Sequence, residues 1–108
     1  MKQKGIFIVM ARIAPEKEAA FNRWYDEDHL PKALNRFPGV LSGRRFKLAD
    51  SVDGYDYMAL YEFESYDKLM EMSKSEALRG LIAEYDAAFG EGNRKRVYAT
   101  EIKSLIVG

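Results

Sequence analysis

His29 is the only histidine of the chain and the side chain best suited to proton transfer, because an unperturbed imidazole titrates near neutral pH. It lies in Trp24–Val40 (WYDEDHLPKALNRFPGV), which also contains the only tryptophan and two of the three prolines. Asp26 and Asp28 are close enough in sequence to orient the imidazole. We predict His29 and Asp28 as the catalytic residues, with His29 at the rim of a cavity, where its ring titrates freely between about pH 5 and 8.

Structural interpretations of His29 and Asp28 remain open beside the catalytic ones at this point. A histidine at the end of a helix can hydrogen-bond a neighbouring backbone carbonyl and help to close that end. Asp28 falls on the apolar stripe of the predicted helix, and a carboxylate that faces a core requires a partner. A structural ion pair of Asp28 with Arg44, Arg45 or His29 would supply one.

Aromatic and basic side chains near this segment are candidates for ligand contacts, because rings stack on flat aromatic substrates. The predicted ligand-binding residues are Trp24, Tyr25, Arg45, Tyr57 and Tyr61. The same rings can serve in packing instead, and for Trp24 we expect a place in the core between helix and sheet.

The residue types that common metal and cofactor sites require are scarce. One histidine and no cysteine do not supply the ligands of a zinc site. The acids at 26–28 lack further oxygen ligands at the spacing of a calcium loop. The glycines follow no phosphate or dinucleotide fingerprint. We therefore expect a site that uses neither a metal ion nor a cofactor.

Composition narrows the classes of partner. The 108 residues contain 17 basic and 17 acidic side chains, and a net charge of zero gives no reason to expect nucleic acid or an anionic membrane as partner. No apolar run approaches the roughly 20 residues of a membrane-spanning helix. The length and the absence of cysteine fit one domain over residues 1–108, located in the cytoplasm.

Runs rich in β-branched and aromatic residues, with alternation in the third and fourth, predict four strands, separated by helical regions in the order βαββαβ. The strands are expected at Gly5–Ile13, Val40–Leu48, Tyr57–Phe63 and Arg96–Val107. This order is that of a ferredoxin-like α+β fold, in which a four-stranded antiparallel sheet carries both helices on one face.

Two helical regions connect these strands. The first is expected over Pro15–Leu30, because Pro31 disfavours helical geometry at the residue before it and should end or kink the helix. Residues 32–37 then form a short turn. The second, Tyr66–Phe89, is expected in two pieces, with a capping box at Ser73–Glu76.

The strands carry bulky apolar side chains on both faces, although two helices can cover only one face of a sheet. In the third strand Met58 and Leu60 alternate with Tyr57, Tyr61 and Phe63. An uncovered face of this kind exceeds the apolar patch that a monomer usually exposes. We therefore predict a homodimer through the sheet face, with a second copy as the cover.

The segment Phe21–Phe46 (FNRWYDEDHLPKALNRFPGVLSGRRF) resembles the signature of EthD-like proteins, a family of the dimeric α/β-barrel superfamily. The matching positions are Trp24, Tyr25, His29, Leu30, Pro31, Pro38, Gly39, Arg45 and Phe46. The resemblance implies two ferredoxin-like sheets packed into an eight-stranded barrel, with a small-molecule cavity in each subunit. It implies no single reaction, since relatives are linked to polyketide cyclisation, decarboxylation, monooxygenation and ether degradation.

Two functions are compatible with these features. The first is a cofactor-free enzyme, such as a cyclase, decarboxylase or monooxygenase, that acts on an aromatic or phenolic compound while His29 moves a proton. The alternative is a binding or accessory protein that holds a small hydrophobic ligand without converting it. A charged histidine poised in a pocket favours the enzyme, and a His29 turned into the backbone favours the binding protein.

Overall fold

Four antiparallel strands form one sheet in the computed structural model of this chain, which describes residues 3–50 and 53–108. The strands are Gly5–Ala11 (β1), Val40–Lys47 (β2), Tyr57–Phe63 (β3) and Arg94–Thr100 (β4), and the sheet order is β2-β3-β1-β4. β1 pairs with both β3 and β4. The ferredoxin-like order predicted from the sequence is thereby confirmed.

The last strand ends seven residues earlier than predicted. Its final link to β1 is the hydrogen bond from the Glu101 N–H to the Lys4 carbonyl, 2.8 Å long. Beyond this point β1 offers no further backbone to pair with, so residues 101–108 form no regular structure. Their apolar side chains are exposed: Ile102, Leu105, Ile106 and Val107.

The first helical region does not end at Pro31, and the prediction of a turn over residues 32–37 was wrong. A 3-10 turn at Pro15–Lys17 leads into α1 (Glu18–Trp24), a π-helical turn follows at Tyr25–His29, and α2 (Leu30–Arg36) continues from it. In the π-helical turn the Leu30 N–H bonds to the Tyr25 carbonyl, five residues back. This widened turn places Pro31 in the first turn of α2, where a missing N–H costs little.

The second helical region is divided as predicted, into α3 (Tyr66–Ser73) and α4 (Glu76–Phe89). The cap of α4 is Ser75, whose Oγ accepts a hydrogen bond from the Leu78 N–H at 3.1 Å. The predicted capping box at Ser73–Glu76 was therefore wrong, because Ser73 is the last residue of α3 and Ser75 caps α4 in its place.

The two faces of the sheet differ in their cover. Side chains on the inner face pack under the helices and form most of the core, as β3 shows with its strict alternation of buried and half-buried residues. The buried apolar side chains on the inner face of β1 and β3 are Phe7, Ala11, Tyr57, Ala59, Tyr61 and Phe63. Within the described residues, no helix is long and apolar enough to cross a membrane.

Candidate functional site

His29 is held inside the molecule by the π-helical turn that it ends. The buried residues of this helical region repeat every four positions: Phe21, Tyr25, His29, Ala33 and Phe37. In an α-helix each step of four residues rotates by about 40°, so this row would drift by about 160° from first to last. The wider turn at Tyr25–His29 counters that drift and keeps the row against the core.

Aromatic rings surround the imidazole on several sides. His29 is 7% exposed. Its ring stacks on Trp24, with centroids 4.5 Å apart and planes 21° from parallel, and meets Tyr25 edge-on at 4.8 Å. Tyr85 of α4 approaches at 6.1 Å. The predicted position at a cavity rim is thus replaced by a position within an aromatic cluster, on the wall of a small cavity.

That cavity lies between the inner face of the sheet, the π-helical turn and α4. Its volume is about 20 Å³, enough for one water molecule, and it opens to solvent as a recess between these elements. Its polar wall residues are Tyr25, His29, Tyr61, Arg94 and Arg96, and its apolar ones are Phe7, Val9, Phe37, Leu78, Leu81 and Ile82. Small-molecule sites are many times larger, so a ligand bigger than water could enter only if side chains of the wall moved apart.

Three buried polar atoms in this region have no hydrogen-bond partner among the described residues. They are His29 Nδ1, Tyr85 Oη and Arg94 Nε. Two further hydroxyls, those of Tyr25 and Tyr61, lie 3.4 Å apart. Buried polar groups are nearly always paired in folded proteins, so the two unpaired ones on recess-lining residues, His29 and Arg94, suit a ligand that carries oxygen atoms.

Burial fixes the protonation states of this cluster. Desolvation lowers the pKa of His29 to about 4, against the opposing charge of Glu84, and Arg94 lowers it further. The imidazole is therefore neutral at pH 7, and the prediction that it titrates freely near neutrality was wrong. Burial also raises the pKa of Tyr85 to about 12 and raises that of Tyr25, so both phenols are protonated donors.

Asp28 does not contact the imidazole. Its carboxylate pairs with Lys32 at 3.0 Å, one turn along the helix, and Lys32 also bonds Glu84 of α4 at 2.9 Å. None of the partners predicted for Asp28, namely Arg44, Arg45 or His29, is used. The reason is geometric: Asp28 is half exposed, on the side of the helical region that faces α4, where Lys32 is the nearer cation. The structure thus gives Asp28 an ion pair that joins helices.

Of the predicted ligand-binding residues, Tyr25 and Tyr61 line the cavity together with His29. Trp24 lies behind the imidazole, half buried, where it packs against Phe89 at 5.2 Å between ring centroids. It therefore adjoins the predicted core without being fully enclosed by it.

Arg45 and Tyr57 are engaged elsewhere. The Arg45 guanidinium donates to Asp26 at 2.7 Å and to Asn22 Oδ1 at 2.8 Å, and lies over the Tyr25 ring at 4.6 Å. The Tyr57 hydroxyl accepts from Asn22 Nδ2 at 3.1 Å and donates to Glu18. These contacts attach α1 to the sheet, so the structure does not bring Arg45 and Tyr57 into the His29 cavity.

Sequence reasoning missed the part of the wall contributed by α4 and β4. Arg94 and Arg96 lie on the inner face, opposite Ala11 and Val9 of β1. The two arginines alternate with Lys95 in the sequence, but the predicted strand began at Arg96 and left Arg94 out. Nothing in the local pattern indicates that α4 packs next to His29, because that contact depends on the tertiary arrangement.

Comparisons with known proteins bear on the fold. A family model described as "Domain of unknown function (DUF4286)" matches residues 4–99. A search of curated proteins by sequence finds no significant match. Among solved structures, an EthD family protein from Bacillus halodurans is similar, with 14% identity, a TM-score of 0.69, and coverage of 93% of this chain and 99% of that one.

Two further structures share the fold. One is a monooxygenase from Streptomyces coelicolor in complex with the ligand nanaomycin D, at 14% identity and a TM-score of 0.65, covering 99% of this chain and 94% of that one. The other is a dimeric ferredoxin-like protein of unknown function from Jannaschia, at 18% identity and a TM-score of 0.63, covering 89% and 97%. The predicted resemblance to EthD-like proteins is confirmed at the level of the fold.

Proposed function

The chain belongs to the DUF4286 family, and we propose that it is a cofactor-free enzyme that binds an aromatic or phenolic compound beside His29 and uses this residue for proton transfer. One observation carries the proposal. A neutral imidazole on the wall of a recess leaves Nδ1 without a partner among the described residues. An acceptor in that position is suited to the hydroxyl proton of a phenol.

The low pKa of His29 determines when the imidazole can accept a proton. Proton transfer from a phenol or an enolisable C–H to Nδ1 produces an imidazolium beside a phenolate or enolate. The anion stabilises the imidazolium, which burial of His29 otherwise disfavours through desolvation. The proton is therefore accepted when a substrate that can hold the negative charge is present, and the electrons remain on that substrate.

The fold neighbours support a small-molecule function without identifying the compound. One is a monooxygenase in complex with the ligand nanaomycin D, and another belongs to the EthD family.

The second candidate is a protein that binds such a compound without converting it. Two observations favour this alternative: the imidazole lies among aromatic rings and has a pKa of about 4, and the cavity volume is only about 20 Å³. Either function requires side chains at the open end, such as Ile82 and Arg96, to move outward when a ring enters.

The proposal includes a homodimer located in the cytoplasm. The outer face of the sheet presents apolar residues that none of the described helices covers: Ile6, Ile8, Met10, Met58, Leu60 and Val97. A second copy packed on this face would bury them. The dimeric fold neighbour from Jannaschia supports this arrangement.

Hydrogen exchange separates the two candidate functions. Resorcinol has acidic ring C–H positions, and a base that removes protons from carbon accelerates their exchange in D₂O. We expect wild-type protein to accelerate this exchange and His29→Gln to abolish the acceleration, with Asn35→Gln on the exposed side of α2 as the matched control. NMR spectra follow both the exchange and the His29 ring.

The outcomes are distinct. A shift of the His29 ring signals on addition of resorcinol, with no acceleration of exchange, identifies a binding protein. No shift of the ring with resorcinol or phenol at millimolar concentration contradicts the proposed site altogether.

A further inference from the structure

The end of the recess formed by β4 carries two arginines that proton transfer at His29 does not require. Arg94 and Arg96 both project from the inner face of the sheet, and both line the recess. No aspartate or glutamate is among the described residues that line it. This end of the recess therefore differs in charge from its aromatic interior.

Arg94 is built into the interior. Its side chain is 8% exposed, its guanidinium pairs with Asp86, and it lies 3.8 Å from the centre of the Tyr85 ring. Nε nevertheless has no partner among the described residues. A buried N–H that donates to nothing is costly, so an acceptor atom from a ligand would complete its bonding.

Arg96 carries a positive charge that no acidic residue among those described balances by an ion pair. Asp86 compensates Arg94, whereas Arg96 forms no ion pair with any residue that the structure describes. It is exposed and stands on the wall where the recess meets solvent. A cation in that place attracts an anion entering the recess.

We infer that the recess selects an anionic ligand, a small aromatic carboxylate that carries a hydroxyl group. The carboxylate accepts from Arg94 Nε and Arg96, the ring occupies the apolar interior, and the hydroxyl faces His29 Nδ1. This inference rests on the proposed function and adds the substrate class. It also gives a role to the buried donor on Arg94, which packing alone leaves unexplained.

Matched ligands test the charge directly. Para-hydroxybenzoate and para-hydroxybenzamide have similar shapes, but only the first is an anion at pH 7. Isothermal titration of the wild-type protein should show the carboxylate binding about tenfold more tightly than the amide, with a preference that falls as salt is added.

Three variants test which residues cause the preference for the carboxylate. Arg96→Gln removes an exposed charge and Arg94→Lys keeps a cation beside Asp86 while removing Nε, so both should reduce the preference to about twofold or less. Arg79→Gln makes the same change of charge on the exposed face of α4 and should leave the preference intact. Circular dichroism verifies folding, and Arg96→Gln alone decides the test if Arg94→Lys fails to fold.

The results distinguish this inference from the function on which it rests. Equal affinity for the two probes, with the His29 ring signals shifted by both, overturns the charge selection and leaves the proposed site in place. A preference that survives both arginine substitutions also overturns it. Binding of neither probe at millimolar concentration overturns the inference and the proposed function together.

Discussion

Unpartnered polar atoms are the clearest functional signal at the scale of single residues. Among the described residues, two such atoms, His29 Nδ1 and Arg94 Nε, belong to residues that line the recess. A third, Tyr85 Oη, belongs to a ring that approaches His29, and the remaining one is Asn93 Oδ1, next to Arg94 in sequence. Each such atom costs on the order of 1–3 kcal/mol of folding free energy when nothing bonds to it. Packing alone would avoid placing several unpaired polar atoms between α4, β4 and the π-helical turn. A polar ligand would supply the hydrogen bonds that these atoms lack.

His29 should make the stability of the protein depend on pH. Burial lowers the pKa of His29 in the folded state to about 4, whereas an unfolded chain has the ordinary value of 6.5. Between these values the unfolded state binds more protons, so the free energy of unfolding rises with pH across this window and falls as the solution is acidified. The full effect is up to about 3 kcal/mol.

Urea denaturation of the wild type and of His29→Phe, at a series of pH values from about 4 to 7, isolates this contribution. Because the chain has one histidine, the difference between the two curves reports on that ring alone. A difference that does not change over this window would contradict the low pKa of His29.

Arg45 illustrates how a residue that suits a ligand can serve the fold. Its bonds to Asp26 and Asn22 and its place over the Tyr25 ring predict that Arg45→Met lowers the free energy of unfolding by about 1–3 kcal/mol. Binding of phenolic probes should change little. Chemical denaturation and probe titration measure the two effects, with Arg23→Met on the exposed side of α1 as the control.

At the scale of elements, the helical region around His29 shows why sequence reasoning failed at one place. The prediction applied α-helical geometry to Trp24–Pro31, and under that geometry Pro31 ends the helix. The actual signal was the row of buried residues at intervals of four, from Phe21 to Phe37, which a π-helical turn accommodates. Tyr25 and His29 were correctly picked out, but their neighbours across the recess were not.

The strands were predicted more closely than the site. The predicted bounds of β1, β2 and β3 lie within two residues of the observed ones, because runs of β-branched and aromatic residues that end at glycine or proline are local signals. The length of β4 depends instead on where β1 stops offering backbone groups. Likewise, the contact of Tyr85 and Arg94 with His29 arises from packing between distant segments, which no local pattern encodes.

The α2 helix can be tested through Ala33, which is 1% exposed. A turn over residues 32–37 would leave the Ala33 side chain exposed to solvent, whereas the helix directs this side chain into the core. Ala33→Glu should therefore lower the free energy of unfolding by at least about 3 kcal/mol, because it buries an unpaired charge. Asn35→Glu, on the exposed side, should change it by less than about 0.5 kcal/mol, and equal effects in denaturation would contradict the helix.

At the scale of the whole molecule, the outer face of the sheet remains without cover in a single chain. Its central row consists of Ile8, Leu60 and Val97, which are neighbours across three strands. Lys4 pairs with Glu62 at 2.6 Å toward the end of that face. The exposed apolar side chains of residues 101–108 add to the apolar surface that a single copy presents. An apolar centre with charged groups beside it is the pattern of a surface that binds a partner.

Leu60→Asp is the decisive variant for the proposed homodimer. Leu60 lies in the centre of the outer face, between Ile8 and Arg44 in register, so the substitution leaves the core on the other face unchanged. Light scattering of the wild type should give twice the 12.4 kDa of one chain, and Leu60→Asp should give a folded monomer, because a two-fold interface would bury the new charge in both copies. Ala87→Asp, on the exposed side of α4, should remain dimeric. A wild-type protein that scatters as a monomer at micromolar concentration would show that the outer face has no second copy as its cover.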